Sequence, residues 1–346
     1  MMILVLQPGL YTTVQDEGRN KYLAYGMPRA GVMDRYSARM ANLLCGNPFS
    51  AAVLEMTLAG GTFKFEQAGR IAICGAEAAL KLNDKNIQTW AAVDVSAGDV
   101  LEVGAATLGC RNYLAISGGI DVPVVMGSRS TYGRAGIGGF EGRPLKAGDR
   151  LSIGQALPMT AAPIGVPPEL ISSICSELSV RVILGPQEDL FTDQGIETLL
   201  NSFYTVSNDV DRMGYRLEGP PITHVHGADI ISDALAPGAI QVPGNGNPIV
   251  MMVDCGTTGG YAKIATVISS DLAKLAQAQP QDRIRFVQCT DLDAIQAYRE
   301  EMDCYRKVAE NVAKGLSAKE IQAPKGRQMQ LKIEGKIYNV EIEEVF

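Results

Sequence analysis

Histidine is nearly absent from this chain: His224 and His226 are the only two in 346 residues. That scarcity argues against a Ser-His-Asp hydrolase and leaves either histidine only a lone acid or base role. Two residues apart, the pair could face one side of a strand, but no third ligand lies nearby, so no metal site is expected. The seven cysteines are scattered, odd in number and free of any CxxC spacing. This excludes a disulfide framework and a Cys/His zinc site, and reduced cytoplasmic thiols are the simple reading. No apolar run approaches the roughly 20 residues of a membrane span. The opening Met1–Leu6 run lacks a basic leader and stops at Gln7-Pro8-Gly9, which predicts a buried first strand rather than a signal peptide. Basic residues are outnumbered, 31 against 38, and the net charge of −7 disfavours nucleic acid or an anionic membrane as partner. Neither GxGxxG nor GxxxxGK[ST] occurs, so no dinucleotide or Walker-A phosphate loop is expected.

What is present is a chain of short apolar runs punctuated by Gly, Pro and Asp. That pattern predicts a mainly β protein of barrels or sandwiches with few helices. Helical spacing marks Met33 to Cys45, with Asp34 as N-cap, then Asp189 to Phe203 and Ser270 to Ala278. A strand-opening phrase repeats weakly: Ala97-Gly98-Asp99-Val100-Leu101, Ala147-Gly148-Asp149-Arg150-Leu151 and, more loosely, Pro280-Gln281-Asp282-Arg283-Ile284. The repeat suggests two β domains, placed at 1–155 and 178–290 and joined by a linker over 156–177, where the Ala/Pro-rich stretch Gln155 to Pro168 marks the boundary. Residues 291–346 form a separate tail, a charged helix to Leu316 and then alternation over Gln328 to Val345 around Glu334-Gly335-Lys336. That alternation predicts a hairpin, able to pair with another chain or to pack on its own domain.

Four polar blocks are candidates for chemistry. Pro8 to Arg19 clusters hydroxyls, acids and Arg19 between glycines. The helix after it carries Asp34, Ser37, Arg39 and Asn42. Ser117-Gly118-Gly119 and Gly127-Ser128-Arg129-Ser130-Thr131 offer backbone and hydroxyl donors for an anion, with a plain surface turn as the alternative. In Asp211-Arg212-Met213-Gly214-Tyr215-Arg216, a strand would project Arg212 and Arg216 from one face toward a carboxylate or phosphate. Salt bridges to Asp209, Asp211 and Glu218 are the competing reading. The last block runs from Pro243-Gly244-Asn245 to Asp254 and on through Thr257-Thr258-Gly259-Gly260-Tyr261-Ala262-Lys263. It reads as a tightly turned polar loop with donors for an oxyanion and is the leading active-site segment.

Taken in order, Pro-Gly-x-x-Thr-Thr-Val-Gln-Asp-x-Gly-Arg, Met-Asp-x-x-Ser-Ala-Arg-x-Ala-Asn, Ser-Gly-Gly-Ile, Gly-Ser-Arg-Ser-Thr, Asp-Arg-Met-Gly-Tyr-Arg-Leu and Thr-Thr-Gly-Gly-Tyr resemble the KipA-like family, that of the 5-oxoprolinase C subunit, over about residues 3 to 290. The family is also described as allophanate hydrolase subunit 2 or as a biotin-dependent carboxyltransferase A/B subdomain. The resemblance implies two cyclophilin-like β-barrels and a KipI-like partner, the 5-oxoprolinase B subunit. A third lactam-utilisation subunit then completes an ATP-dependent opening of 5-oxoproline to glutamate, with ATP used together with the partner subunits. On that reading Arg212, Arg216 and Lys263 balance charge on the carboxylate or phosphate. Thr257, Thr258 and Gly259 donate to the oxyanion, with Gly260 beside them, and Asp34 or Asp254 is the base. Arg19, Arg39, Arg129 and Asn245 are further binding candidates.

Two alternatives follow from the same resemblance: a carboxyltransferase subunit acting on urea or a related amide with a biotin carrier on another polypeptide, and a non-catalytic binder of a KipI-like kinase inhibitor. The tail resembles the opening strands of a biotinyl-carrier domain but holds no Ala-Met-Lys-Met, so no biotin is expected on this chain. Two departures stand out. Asp254-Cys255-Gly256 replaces the Asp-Arg-Gln of many relatives, and Tyr261-Ala262-Lys263 replaces Tyr-Pro-Lys.

Overall fold

The computed structural model describes residues 2–156, 162–313, 327–333 and 336–342. The protein is mainly β and is built on two barrels. In the first, the strands Tyr11–Gln15, Val53–Thr57, Val100–Ile116, Thr62–Phe65, Met2–Gln7, Arg150–Ile153 and Ile120–Asp121 lie side by side in that order. The long Gly69–Leu82 strand also pairs with Val100–Ile116 and carries two short strands of its own. The sheet curls nearly closed around Ile3, Val5, Phe63, Phe65, Leu101, Leu114 and Leu151, all essentially inaccessible. Met2–Gln7 is an interior strand of this sheet, as its apolar composition predicts.

The second barrel is closed by seven strands: Glu177–Leu184, Lys263–Val267, Ala239–Gln241, Ile249–Met251, Gly214–Glu218, Phe203–Val210 and Arg283–Gln288. Its ring shuts through one parallel pairing, Glu177–Leu184 against Arg283–Gln288. The core is a separate cluster that includes Val180, Tyr204, Ile240, Ile264 and Phe286.

The repeated phrase is one structural device used three times. Asp99, Asp149 and Asp282 each turn a carboxylate back to accept the backbone N–H three residues earlier, from Ser96, Lys146 and Gln279, every time at 2.7 Å. The residue before each aspartate is left-handed, with φ of 96° at Gly98, 91° at Gly148 and 78° at Gln281. Glycine adopts that conformation without strain, whereas Gln281 holds it against a Cβ clash.

Four helices complete the described chain. α1 (Arg35–Leu44) is capped by Asp34, whose side chain accepts from the Ser37 N–H. α2 (Asp193–Asn201) is capped by Thr192 and starts four residues later than its sequence suggests, because Glu188–Leu190 forms a separate 3-10 turn. α3 (Leu272–Gln277) follows a similar turn. α4 (Asp291–Ala313) packs Tyr305, Val308 and Val312 against α1 and the outer face of the first barrel. Residues 314–316 of the expected tail helix lie outside the described residues, as do 157–161 of the linker. The later part of that linker is pinned: Ala92 donates to the Ile164 carbonyl, and Val166 is buried. The tail strands Arg327–Ile333 and Lys336–Ile342 pair in register. Among the described residues they join no other sheet, and their turn at 334–335 lies outside them. No described helix is long and apolar enough to cross a membrane.

Candidate active site

Where the barrels meet, polar side chains replace the apolar core. Arg212 reaches out of the turn before Gly214–Glu218 and grips Asp254 with its Nε and Nη2, both at 3.0 Å. Its Nη1 binds Glu55 of the first barrel, and Nη2 also donates to the Gly31 carbonyl at 2.6 Å. Glu55 accepts in turn from the Met33 N–H at 2.8 Å and the Tyr113 hydroxyl at 3.0 Å. Glu55, Arg212 and Asp254 are all buried, so this fork between two carboxylates lies in a medium where an unpaired charge would be costly. Beside it, Arg111 crosses the other way. Its Nη1 donates to the Tyr215 hydroxyl at 2.6 Å and to the Ala276 carbonyl at 2.5 Å. Gln277 accepts from the Cys110 and Arg111 N–H groups and donates to Asp34 at 2.7 Å.

These clamps floor a cleft of about 280 Å3, lined by Tyr11, Arg111, Arg134, Arg212, Met213 and Asp254 among others. Arg111 is held close by backbone geometry. Gly75 on the neighbouring strand has φ of 125°, and a Cβ there would lie 2.2 Å from the Arg111 carbonyl oxygen. The Arg111 Nε is buried and has no hydrogen-bond partner among the described residues, an unusual expense for a group this deep unless a ligand supplies the acceptor. Burial pushes the Tyr11 hydroxyl above its ordinary value, with Arg212 opposing, so Tyr11 keeps its proton and is a hydrogen-bond donor at neutral pH. Burial likewise raises Asp254, while the Arg212 fork pulls it back down. The cleft therefore combines guanidinium donors, a phenol and a carboxylate at the junction of two rigid barrels. That set suits an amide whose oxygen gains negative charge.

The sequence candidates divide sharply. Arg212 and Asp254 come together in the cleft. Arg212 and Arg216 do not share a strand face: Arg212 lies in the preceding turn, and Arg216 is exposed and paired with Asp209 at 2.6 Å. Asp34 does not line the cleft. Both its oxygens are consumed by Ser37 and Gln277, which makes it a helix cap and an inter-barrel tie. The Thr257–Lys263 segment is not a tight loop. Thr258–Tyr261 is a strand, paired with Asp229–Ala234 in a two-stranded ribbon outside the cleft lining. Thr257 spends its carbonyl on the Leu235 N–H, and Thr258 is exposed. Gly259 packs closely, a Cβ there lying 2.6 Å from the ends of the Gln241 and Leu235 side chains. Gly260 faces the bulge in the ribbon, and Lys263 is buried beneath it on Asp233 at 2.7 Å.

Arg19 is buried and donates to the Val125 and Ser130 carbonyls. Arg39 forms a two-pronged pair with Glu17 and lies over the Phe49 and Tyr305 rings. Arg129 binds the Val122 carbonyl and Asp121 beside a separate recess of the first barrel. Asn245 only caps its own turn, accepting from the Asn247 N–H. Sequence reasoning passed over Glu55, Arg111, Arg134 and Gln277, and did not single out Tyr11 within its block. A signal existed for two of them: Glu55 is the one charge of the Val53–Thr57 strand, and Arg111 is the one charge in the apolar second half of Val100–Ile116.

Residues 25–288 match the carboxyltransferase domain, subdomains A and B. The chain belongs to that family. It is 39% identical over 308 residues to the 5-oxoprolinase C subunit of Escherichia coli K12, covering 89% of this chain and 98% of that one. It is 38% identical over 304 residues to the urea amidolyase of Lachancea kluyveri, covering 82% of this chain but 17% of the much longer relative. The Kluyveromyces lactis urea carboxylase structure superimposes with a TM-score of 0.85 at 31% identity, over 99% of this chain and 32% of that one. The two-barrel, mainly β architecture expected from the KipA-like resemblance is thus the family's fold.

Proposed function

We propose that this chain is the KipA-like component of a 5-oxoprolinase-type amidohydrolase that opens 5-oxoproline to glutamate in complex with a KipI-like subunit and a third, lactam-utilisation subunit. The observation that carries the reading is likeness: the chain is 39% identical to the Escherichia coli 5-oxoprolinase C subunit over 98% of that protein's length. The cleft chemistry supports it. In the overall reaction water adds to the lactam carbonyl carbon and the ring C–N bond breaks, leaving a new carboxylate and a free amine. On this reading Tyr11 and Arg111 donate to the lactam oxygen as it becomes anionic, and Asp254, oriented by Arg212, borders the same space.

ATP does not fit this cleft. The cleft has no glycine-rich phosphate loop, and two of its three guanidinium groups, Arg111 and Arg212, are already held by protein acceptors, so no phosphate cradle is left for a triphosphate. Nucleotide binding is assigned to the partner subunits, and no step here is routed through it.

The test is reconstitution with both partner subunits, ATP and 5-oxoproline, following ADP and glutamate. Wild-type complex should form both, and Asp254→Asn should lower glutamate formation on the order of 100-fold or more. Absence of both products with all subunits present would sink the proposal. Likeness to urea amidolyase favours one competitor, and carboxyl transfer from carboxybiotin to urea by the same complex would establish it instead.

A further inference from the structure

Three guanidinium groups line the cleft, and two of them are already committed. Arg212 is locked between Glu55 and Asp254, and Arg111 is tied through Nη1 to Tyr215 and Ala276. Arg134 is different. It is exposed on the cleft rim, and among the described residues it forms no ion pair. Its guanidinium instead meets the sulfur of Met213, on the opposite barrel. A neutral thioether is a poor partner for a guanidinium, whereas Arg39, Arg181 and Arg212 each take a carboxylate.

The backbone that carries Arg134 is built rather than loose. Thr131 N–H donates to the Val14 carbonyl, and Tyr132 and Ile137 exchange hydrogen bonds at 2.8 and 3.2 Å, closing a tight turn over Gly133 to Gly136. Gly133 lies under the Tyr11 hydroxyl, where a Cβ would come within 3.2 Å. Arg134 is thereby fixed at the mouth, above the phenol and across from the Arg212–Asp254 pair.

We infer that Arg134 is the specificity residue that binds the carboxylate of a cyclic amide substrate, leaving Arg111 and Tyr11 to meet the lactam oxygen. The inference rests on the amidohydrolase reading and replaces Arg216 and Lys263, whose charges are satisfied by Asp209 and Asp233, as the carboxylate anchor. No covalent step is assigned to Arg134. It positions the substrate through a guanidinium–carboxylate pair.

The test compares 5-oxoproline with 2-pyrrolidinone, the same lactam without its carboxylate, using the reconstituted complex with wild-type, Arg134→Met and Arg134→Lys chains. Arg134→Met should raise KM for 5-oxoproline on the order of 30-fold with little change in kcat, Arg134→Lys should recover part of that loss, and kcat/KM for 2-pyrrolidinone should hold. Equal effects on both lactams, or none, would overturn the assignment. If the complex turns over neither lactam, the amidohydrolase reading fails. Titration calorimetry of 5-oxoproline into the complex then decides the carboxylate site alone: affinity lost in Arg134→Met sustains it, and unchanged affinity or no binding to wild type ends it.

Discussion

The two barrels treat their polar blocks in opposite ways. In the first barrel the Asp16, Arg19, Ser128 and Ser130 groups turn inward and bind one another: Asp16 accepts from Gly18, Ser128, Arg129 and Ser130. In the second, Arg212 and Asp254 sit at a barrel end and face across the junction. Similar residue types therefore brace a loop in one case and floor a cleft in the other. The difference is tertiary. The Asp16 block lies among the first barrel's own loops and finds its partners there, whereas Arg212 and Asp254 lie at an end capped by a different barrel. Within these two blocks the buried arginines differ too, Arg19 taking only carbonyls and Arg212 taking two carboxylates.

The largest expected effect tests that division. Arg212→Met leaves Glu55 and Asp254 buried without their cation and should cost about 3–5 kcal/mol in denaturant unfolding. Arg19→Met strands only carbonyl acceptors and should cost about 1–3 kcal/mol. Equal losses would erase the contrast between the barrels.

A smaller effect concerns Asp271, at the start of α3 in the second barrel. Burial alone would raise this carboxyl, but bonds from Arg181 and Lys274 outweigh it and hold it below its ordinary value of 3.8. A carboxylate depressed in the folded state adds stability above its unfolded value. That contribution fades as pH falls through the lower, folded value. Asp271→Asn should therefore cost about 1–2 kcal/mol at neutral pH, discounted because both cations are more than a third exposed. The gap to wild type should close in acid unfolding curves, and a gap that widens on acidification would contradict the pairing. Arg216→Ala is the smallest: an exposed pair with Asp209 should be worth less than about 0.5 kcal/mol, with kcat/KM unchanged. A large loss of turnover there would return Arg216 to the site and break the assignment of the cleft.

Much of the fold is legible in local sequence, because turns and caps are short-range. The Gly-Asp turn phrase, the Asp34 cap and the apolar first strand all require neighbours within a few residues, so sequence spacing reports them directly. The site is less legible. Thr257 to Lys263 has the composition of an oxyanion loop, yet register pairing with Asp229–Ala234 makes it a ribbon and gives Lys263 to Asp233. Arg111 and Glu55 read locally as odd charges in apolar strands, and only the other barrel's Tyr215 and Arg212 give them a purpose.

By itself, then, the sequence determined the family, the mainly β barrel architecture and the punctuation of its strands, since each depends on patterns a few residues long or on ordered motifs. Tertiary structure decided which arginines are spent and which face a ligand. A guanidinium's availability depends on the acceptors brought within about 3 Å of it, and here an acceptor comes from as far away in sequence as Glu55 is from Arg212.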